Sequence, residues 1–319
     1  MSGYSGTAVQ AIGDHCFLAA TNLGGLERFT VDPDTLKVTS QETVLEDRTG
    51  VQYCHCTLMR QYNATLMVCV GITVEVLENG DVVHTPQPMD AYKYNNATGA
   101  IRRRRAVFGD GPPPLMCYQT GFIGGTLVML RGYESAVSHP NGGFDFLAPN
   151  TSIWMLDMNT WKGRRCGVPG NLAKFLNDKA SRTTGMITSQ GGSLVAFCKS
   201  NALHICVDHT GVSFQGEQVI VSNSLADLRV RPTAEVDIGP YVCLFRRETR
   251  RHTTEGWESN VYMYDRVSGE AAKCVSLPYP DRVDCACMLN PTTMLVVLRE
   301  RTLVVELDPC LFQRFSDAD

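Results

Sequence analysis

The chain has 319 residues and a formal net charge of −4, with 44% hydrophobic and 19% charged residues. This composition is typical of a folded globular protein, and its mild acidity disfavours nucleic acid as a partner. No apolar run approaches the roughly 18 residues of a membrane-spanning helix, and the N-terminus lacks the basic and apolar regions of a signal peptide. We therefore expect no membrane contact.

The 13 cysteines are an odd number, and several stand inside apolar stretches, where thiols behave as small apolar side chains. A reducing compartment, cytoplasmic or nuclear, is therefore expected. Two segments, Cys54-His55-Cys56 and Cys285-Ala286-Cys287, place two thiols on one face of a strand. They lack the wider ligand spacing of zinc sites, so they are interpreted as buried thiols, and no metal or cofactor is expected.

One short phrase recurs six times: an apolar strand that ends in Asp or Asn and is followed by turn residues. The copies span residues 29–35, 92–98, 154–161, 205–211, 262–269 and 304–309. Between the Asp or Asn residues the successive steps are 63, 62, 51, 57 and 43 residues. Asp and Asn favour turns because their side chains accept hydrogen bonds from the backbone just beyond them. A repeat of this length indicates a β-propeller.

Each copy belongs to a unit of four predicted strands. A more apolar strand precedes each copy, at residues 16–20, 65–70, 126–130, 193–197, 241–245 and 294–298. Strands that are apolar on both faces lie between packed neighbours, as the middle strands of propeller blades do. A mixed strand precedes each of these, and a short polar strand follows each turn. The predicted fold is all-β, a single six-bladed β-propeller of four-stranded antiparallel blades.

The repeats account for nearly the whole chain, so residues 1–319 are predicted to form one domain. The blades are expected at about residues 7–50, 51–110, 111–176, 177–230, 231–280 and 281–315. The outer strand of the last blade would be residues 310–315, or else an edge borrowed from residues 1–6.

In the third unit, Leu130-Arg131-Gly132-Tyr133 follows the second strand, and Ile153 to Trp161 then supplies an aromatic residue, an Asp turn and a Trp. This unit resembles a kelch repeat. Tyr264-Asp265 and Tyr94-Asn95 are weaker versions of the same motif. The resemblance covers all six units in layout and one in motif, and it implies that Trp161 lies between two blades. The Trp-Asp dipeptide of WD40 repeats and the sialidase box are missing.

Long spacings separate the second and third strands of units two, three and five, at about residues 71–89, 132–152 and 247–260. In a four-stranded blade these connections open on the same face as the connections between blades. Loops on rigid scaffolds carry function, so we expect a binding face there. The kelch resemblance implies the same, because kelch propellers commonly take partner peptides on this face. The alternative is that these loops vary because nothing constrains them.

Arginines and aromatic residues are expected to gather on that face. Arginine offers a planar fork that matches carboxylate or phosphate, so an acidic or phosphorylated peptide is the predicted partner. Aromatics and arginines together are typical of interface hot spots. The alternative is a solvated rim. The candidate partner-binding residues are Arg102, Arg103, Arg104, Arg105, Arg164, Arg165, Arg250, Arg251, Tyr133, Phe144, Phe146 and Trp257.

Two functional hypotheses follow. The favoured one is a non-enzymatic protein–protein interaction module, either a kelch-like adaptor and scaffold or a fixed subunit of a larger complex, with no catalytic residues. The other is a propeller enzyme of hydrolase, oxidase or lyase type with its site in the central channel. Converging carboxylates in the channel would favour the enzyme. The inner strands offer a thin set of polar residues, namely Gln10, Gln52, His55, Gln119, Thr184, Asp237 and Asp284.

Overall fold

A ring of small antiparallel sheets makes up the protein in a computed structural model. The structure describes residues 8–13, 15–21, 23–47, 52–104, 107–108, 115, 119–130, 132–170, 172–173, 186–189, 193–198, 201–207, 212–219, 232–249, 257–279, 281–298 and 302–308. Six sheets are present in this part of the chain, one for each predicted unit. The predicted all-β, six-bladed fold is therefore confirmed, while the exact limits of the blades stay a prediction.

The first three blades are built from strands that follow one another from the centre of the ring outward. Blade one is β1 (Ala8–Gly13), β2 (Cys16–Ala20), β3 (Leu26–Val31) and β4 (Val38–Leu45). Blade two is β5 (Gln52–Gln61), β6 (Ala64–Val76), β8 (Asp90–Asn95) and β9 (Ile101–Arg104), and β7 (Val82–Pro86) lies between β6 and β8 in the chain. Blade three is β11 (Gln119–Ile123), β12 (Thr126–Leu130), β15 (Ile153–Asp157) and β16 (Lys162–Cys166), with β10 (Val107–Phe108) parallel to β16 at its edge. Two further strands, β13 (Tyr133–Ser138) and β14 (Phe144–Pro149), lie between β12 and β15.

The last three blades have the same order of strands, from the inner strand to the outer one. Blade four is β17 (Met186–Ser189), β18 (Ser193–Cys198), β19 (Asn201–Val207) and β20 (Val212–Val219). Blade five is β21 (Pro232–Ile238), β22 (Tyr241–Thr249), β23 (Trp257–Asp265) and β24 (Ala271–Ser276). Blade six is β25 (Val283–Asn290), β26 (Thr293–Leu298) and β27 (Thr302–Glu306). Its predicted outer strand, whether residues 310–315 or residues 1–6, lies outside the described residues.

The core is divided among the six boundaries between neighbouring blades, each filled by its own apolar cluster. Strand β12 shows why the second strands are apolar on both faces. Leu127 and Met129 pack toward blade two, whereas Val128 and Leu130 pack toward blade four. Because neighbouring side chains of a strand point to opposite faces, each middle strand fills two clusters. The cluster between blades six and one closes the ring.

Tight turns join the third and fourth strands of blades one, two, three and five on one face of the ring, which we call the turn face. The Asp32 carboxylate accepts hydrogen bonds from the backbone N–H groups of Asp34 (3.0 Å) and Thr35 (2.7 Å). Asn95, Asp157 and Asp265 do the same in blades two, three and five. The recurrent Asp or Asn is therefore a turn cap in these four blades. The turn after Asp208 lies outside the described residues.

Candidate partner-binding face

The long connections of blades two and three are strands, which corrects the expectation that they are loops. Strand β6 pairs with β8 as far as Cys69 and with β5 as far as Ile72, and its residues 72–76 pair with β7. Strand β13, from blade three, pairs with β7 on one side and with β14 on the other. Residues 72–76 of β6 together with β7, β13 and β14 form one four-stranded antiparallel extension, which we call the projecting sheet.

Two glycine turns and one histidine hold the projecting sheet together. Gly80 and Gly142 both have φ near +84°, a conformation that favours glycine, at the tips of the two hairpins. The ring of His139 contacts the carboxylates of Asp81 (2.9 Å) and Asp145 (3.1 Å), so it joins one hairpin to the other. Hydrogen bonding to these carboxylates, to Asp81 above all, raises the pKa of His139, and the same bond lowers the pKa of Asp81.

The register of the projecting sheet arranges side chains in two rows across all four strands. Directly opposed residues of an antiparallel sheet share a face. One row is Val74, His84, Ala136 and Phe146, and the next is Val76, Val82, Ser138 and Phe144. The Phe144 and Phe146 rings meet edge to face with centroids 5.0 Å apart, and His84 lies 5.5 Å from Phe144. The face with these rows is largely apolar.

Three of the four predicted aromatic site residues are strand residues of the projecting sheet, although the sequence interpretation assigned them to no strand. Tyr133 opens β13 and stacks on Phe146 with ring centroids 4.5 Å apart, and Phe144 opens β14. Trp257 is the first residue of β23, where its backbone pairs with Thr249. Blade five therefore also extends a hairpin on the built-up face, which is the face opposite the turn face.

The predicted arginines do not lie in the projecting sheet. Arg102, Arg103 and Arg104 are exposed residues of β9, the outer strand of blade two, and Arg103 forms an ion pair with Asp90. Arg164 and Arg165 are exposed residues of β16, the outer strand of blade three, and Arg165 donates a hydrogen bond to the Ser152 hydroxyl (2.7 Å). These arginines stand on the outer wall of the ring, in strands where a connection between blades was predicted. Arg105, Arg250 and Arg251 lie outside the described residues.

An open cavity of about 360 Å³ occupies the centre of the ring. Inner strands of four blades line it, and its polar residues are Gln10, Thr57, Arg60, Thr120, Glu235 and Asp237. Asp237 is held by Arg266 at 2.9 Å. Burial raises the pKa of Glu235 to about 7, so this carboxyl group is partly protonated near neutral pH. Two of the predicted channel residues, Gln10 and Asp237, thus line the cavity.

Glu235 was missed by the sequence interpretation. Along β21, Glu235 and Asp237 face the cavity and alternate with Ala234 and Val236, which pack between blades five and six. Two carboxylates on the same face of an inner strand are a signal that could have identified it. Among the described residues, no three potential metal ligands of the His, Cys, Asp and Glu types gather at one place. The described residues also contain no helix with the length and apolarity to cross a membrane.

No family model and no curated protein matches the chain. The structure is similar to that of YjhT, with a TM-score of 0.61 and 9% identity over 97% of this chain and 96% of that one. It is also similar to a chain in the crystal structure of the mitotic checkpoint complex, with a TM-score of 0.51 and 10% identity over 97% of this chain and 89% of that one. Likeness at such low identity concerns the fold alone, and the fold is a six-bladed β-propeller.

Proposed function

We propose that the protein is a non-enzymatic interaction module, an adaptor or a fixed subunit of a complex, that holds a protein partner on its built-up face. The projecting sheet carries this proposal. It presents an apolar face to solvent on a backbone that is continuous with blade two, and contiguous exposed apolar surface on a folded protein is typical of interaction sites. The hairpin of β22 and β23, in blade five, extends from the same built-up face.

The test is affinity purification of the full-length protein from its own cells, followed by mass spectrometry, with a trimmed variant alongside. In the trimmed variant, residues 73–85 and 134–148 are each replaced by Asn-Gly, which suits a two-residue hairpin turn. The ring should keep its melting temperature within a few degrees, and the main copurifying proteins should be lost. Recovery of the same proteins by a folded trimmed variant would contradict the proposal.

The acidic or phosphorylated partner expected from the arginines is proposed for the outer wall only. Arg102, Arg104 and Arg164 are exposed on adjacent blades, so a carboxylate or phosphate group can reach all of these outer strands from solvent. Reversing these three charges to Glu should weaken recovery of an acidic or phosphorylated partner. The melting curve should not change, since exposed charges contribute little to stability. If the folded variant recovers the same amount of this partner, the arginines are solvated surface residues that do not bind it.

A second candidate function is a small-molecule or enzymatic site in the central cavity. The observation that favours it is Glu235, a carboxyl group with a pKa near 7 that can exchange a proton at neutral pH. The test is a thermal-shift screen of a metabolite collection against the wild type and the Glu235→Gln variant. A compound that stabilises only the wild type supports a cavity site. Equal responses by both proteins throughout the collection would contradict it.

We propose a reducing location, the cytoplasm or nucleus, and the support is that nine cysteines of the described residues are free thiols. Burial raises the pKa of Cys243 and of Cys287 to about 12, so these two thiols behave as apolar core side chains at neutral pH. Imaging of the tagged full-length protein tests the location, and accumulation in a secretory compartment would contradict it.

A further inference from the structure

We infer that the projecting sheet binds a protein segment in which apolar side chains are accompanied by lysine or arginine. This inference rests on the proposed interaction function and specifies the partner. It differs from the acidic or phosphorylated partner predicted from the sequence, because the residues on the projecting sheet have the opposite charge from the arginines on the outer wall.

The projecting sheet exposes large apolar side chains to solvent. Ten large apolar residues are exposed in the described part of the chain, and five of them belong to the two hairpins of the projecting sheet. These five are Val74, Val76, Leu77, Phe144 and Leu147. Val76 is 70% exposed and Phe144 is 45% exposed, and they share one cross-strand row. A partner that covers this row removes apolar surface from water, which favours association.

The segments that form the projecting sheet are rich in carboxylates. Residues 71–89 and 132–152 contain five carboxylates and neither lysine nor arginine. Glu75, Glu78, Glu134 and Asp145 are all exposed. Glu134 lies on the same face as the rows, whereas Glu75 and Asp145 alternate onto the other face of the sheet. The projecting sheet therefore carries negative charge on both faces, and His139 lies between two of the carboxylates. Charge of one sign around an apolar patch attracts partners of the opposite sign and repels partners of the same sign.

The same charge decides between classes of partner. Nucleic acid and anionic lipid surfaces carry dense negative charge, which five carboxylates without a compensating lysine or arginine would repel. A broad sheet face also differs from the concave pocket that a small ligand requires. A basic and apolar protein segment matches both the apolar rows and the negative charge of the projecting sheet.

The experiment selects binders from a phage-displayed library of random 12-residue peptides on the immobilised full-length protein. The strongest binder is then synthesised and its Kd is measured by fluorescence anisotropy at low and high salt. We expect selected peptides with net positive charge and apolar residues, and affinity that falls as salt rises. One double variant combines Glu75→Lys with Glu134→Lys, and a second combines Val76→Ser with Phe144→Ser. Each double variant should weaken binding by about tenfold or more.

Matched controls lie on the turn face. Val267 is 85% exposed and Glu270 is exposed, both in the turn after β23. The Val267→Ser, Glu270→Lys variant repeats the same chemical changes away from the projecting sheet, and it should leave the Kd unchanged. Melting curves accompany every variant, and a variant that fails to fold is replaced by its single substitutions.

Selection of acidic or uncharged peptides would overturn the inference, as would peptides whose binding is insensitive to the variants of the projecting sheet. Loss of cellular partners from the trimmed variant would still support the interaction function in that case, so the two failures are distinguishable. Conversely, basic peptides that bind the sheet would uphold the inference about its chemistry, even if the trimmed variant kept every cellular partner and the proposed function failed.

Discussion

The turn face and the built-up face of the ring are made from the same blades, but their side chains differ in what they contact. On the turn face, Asp32, Asn95 and Asp157 bind the backbone within three residues, so each turn satisfies its own polar groups. On the built-up face, β6 extends beyond its blade and ends among exposed valines. The turns satisfy their own polar groups and the clusters bury their own apolar groups, whereas the projecting sheet leaves large apolar side chains in contact with water.

The largest effect should come from Trp161, which follows the turn after β15. Its indole is buried in the cluster between blades two and three, together with Met59, Leu66 and Leu127. Trp161→Ala should lower the free energy of unfolding by roughly 3–5 kcal/mol, because truncation leaves a cavity. Urea unfolding monitored by circular dichroism measures this. An unchanged midpoint would show that the turn face does not anchor the blades.

A pair of identical substitutions on one strand compares the two regions directly. Val68 is buried in the ring, and Val76 is 70% exposed in the projecting sheet, both on β6. Val68→Ala should cost about 2 kcal/mol of unfolding free energy, since two methyl groups leave a packed cluster. Val76→Ala should cost less than about 0.5 kcal/mol, as exposed positions usually do. Equal losses in the same urea titration would erase the distinction between the regions.

Glu235 lies in the channel between the two faces, and its effect should depend on pH. Its pKa is raised from 4.5 to about 7, so the folded state keeps a proton that the unfolded state has released. Stability from this group is complete below about pH 4.5 and is lost as the pH rises through about 7. Glu235→Gln should therefore be more stable than wild type at pH 8, by about 1–2 kcal/mol given the water in the open cavity. Melting curves between pH 5 and 8, on the order of one per half unit, test this, and a constant difference would contradict it.

The smallest effect concerns the turn cap of blade three. Backbone N–H groups, that of Asn159 first, lower the pKa of Asp157 by hydrogen bonding to its carboxylate. This stability is present above the ordinary Asp pKa and is lost as the pH falls through the folded value. Asp157→Asn keeps an acceptor oxygen, so it should cost less than about 1 kcal/mol at neutral pH, and the difference should vanish in acid.

Blade two offers the matched control for that cap, because Asn95 occupies the same position naturally. Asn95→Asp should introduce the pH dependence that Asp157→Asn removes. If acid titration of the melting temperature shows the same profile in both variants, the carboxylate contributes nothing beyond its acceptor oxygen.

The ring could be predicted from the sequence because short local patterns mark the strands and turns of each blade. The Asp or Asn caps recur in the sequence, and strands such as β12 are apolar at every position after the first, since both of their faces are buried. The hairpins were also marked in part. Val74-Glu75-Val76 alternates, and Asn79-Gly80 is a strong hairpin turn signal that the interpretation as a loop passed over.

The pairing of β7 with β13 was not predictable, because it joins segments about fifty residues apart and depends on how two blades are placed. The arginines were predicted in connections between blades, and this was wrong for a related physical reason. A run such as Arg102–Arg104 looks like a loop, yet an outer strand whose side chains face solvent accepts charged residues readily. The positions of charged residues in the sequence therefore do not show which surface they occupy, the outer wall or the projecting sheet, until the strand order is known.

The pairing of β7 with β13 fastens blades two and three together a second time, since their shared apolar cluster already joins them. Backbone hydrogen bonds across a blade boundary must break before the two blades can separate, so their amides should exchange with solvent as one cooperative unit. Strand β6 belongs both to the projecting sheet and to the cluster around Leu66 and Val68. A force applied to the sheet by a bound partner is therefore transmitted along one strand into the cluster between blades two and three, which makes the ring and its sheet a single mechanical body.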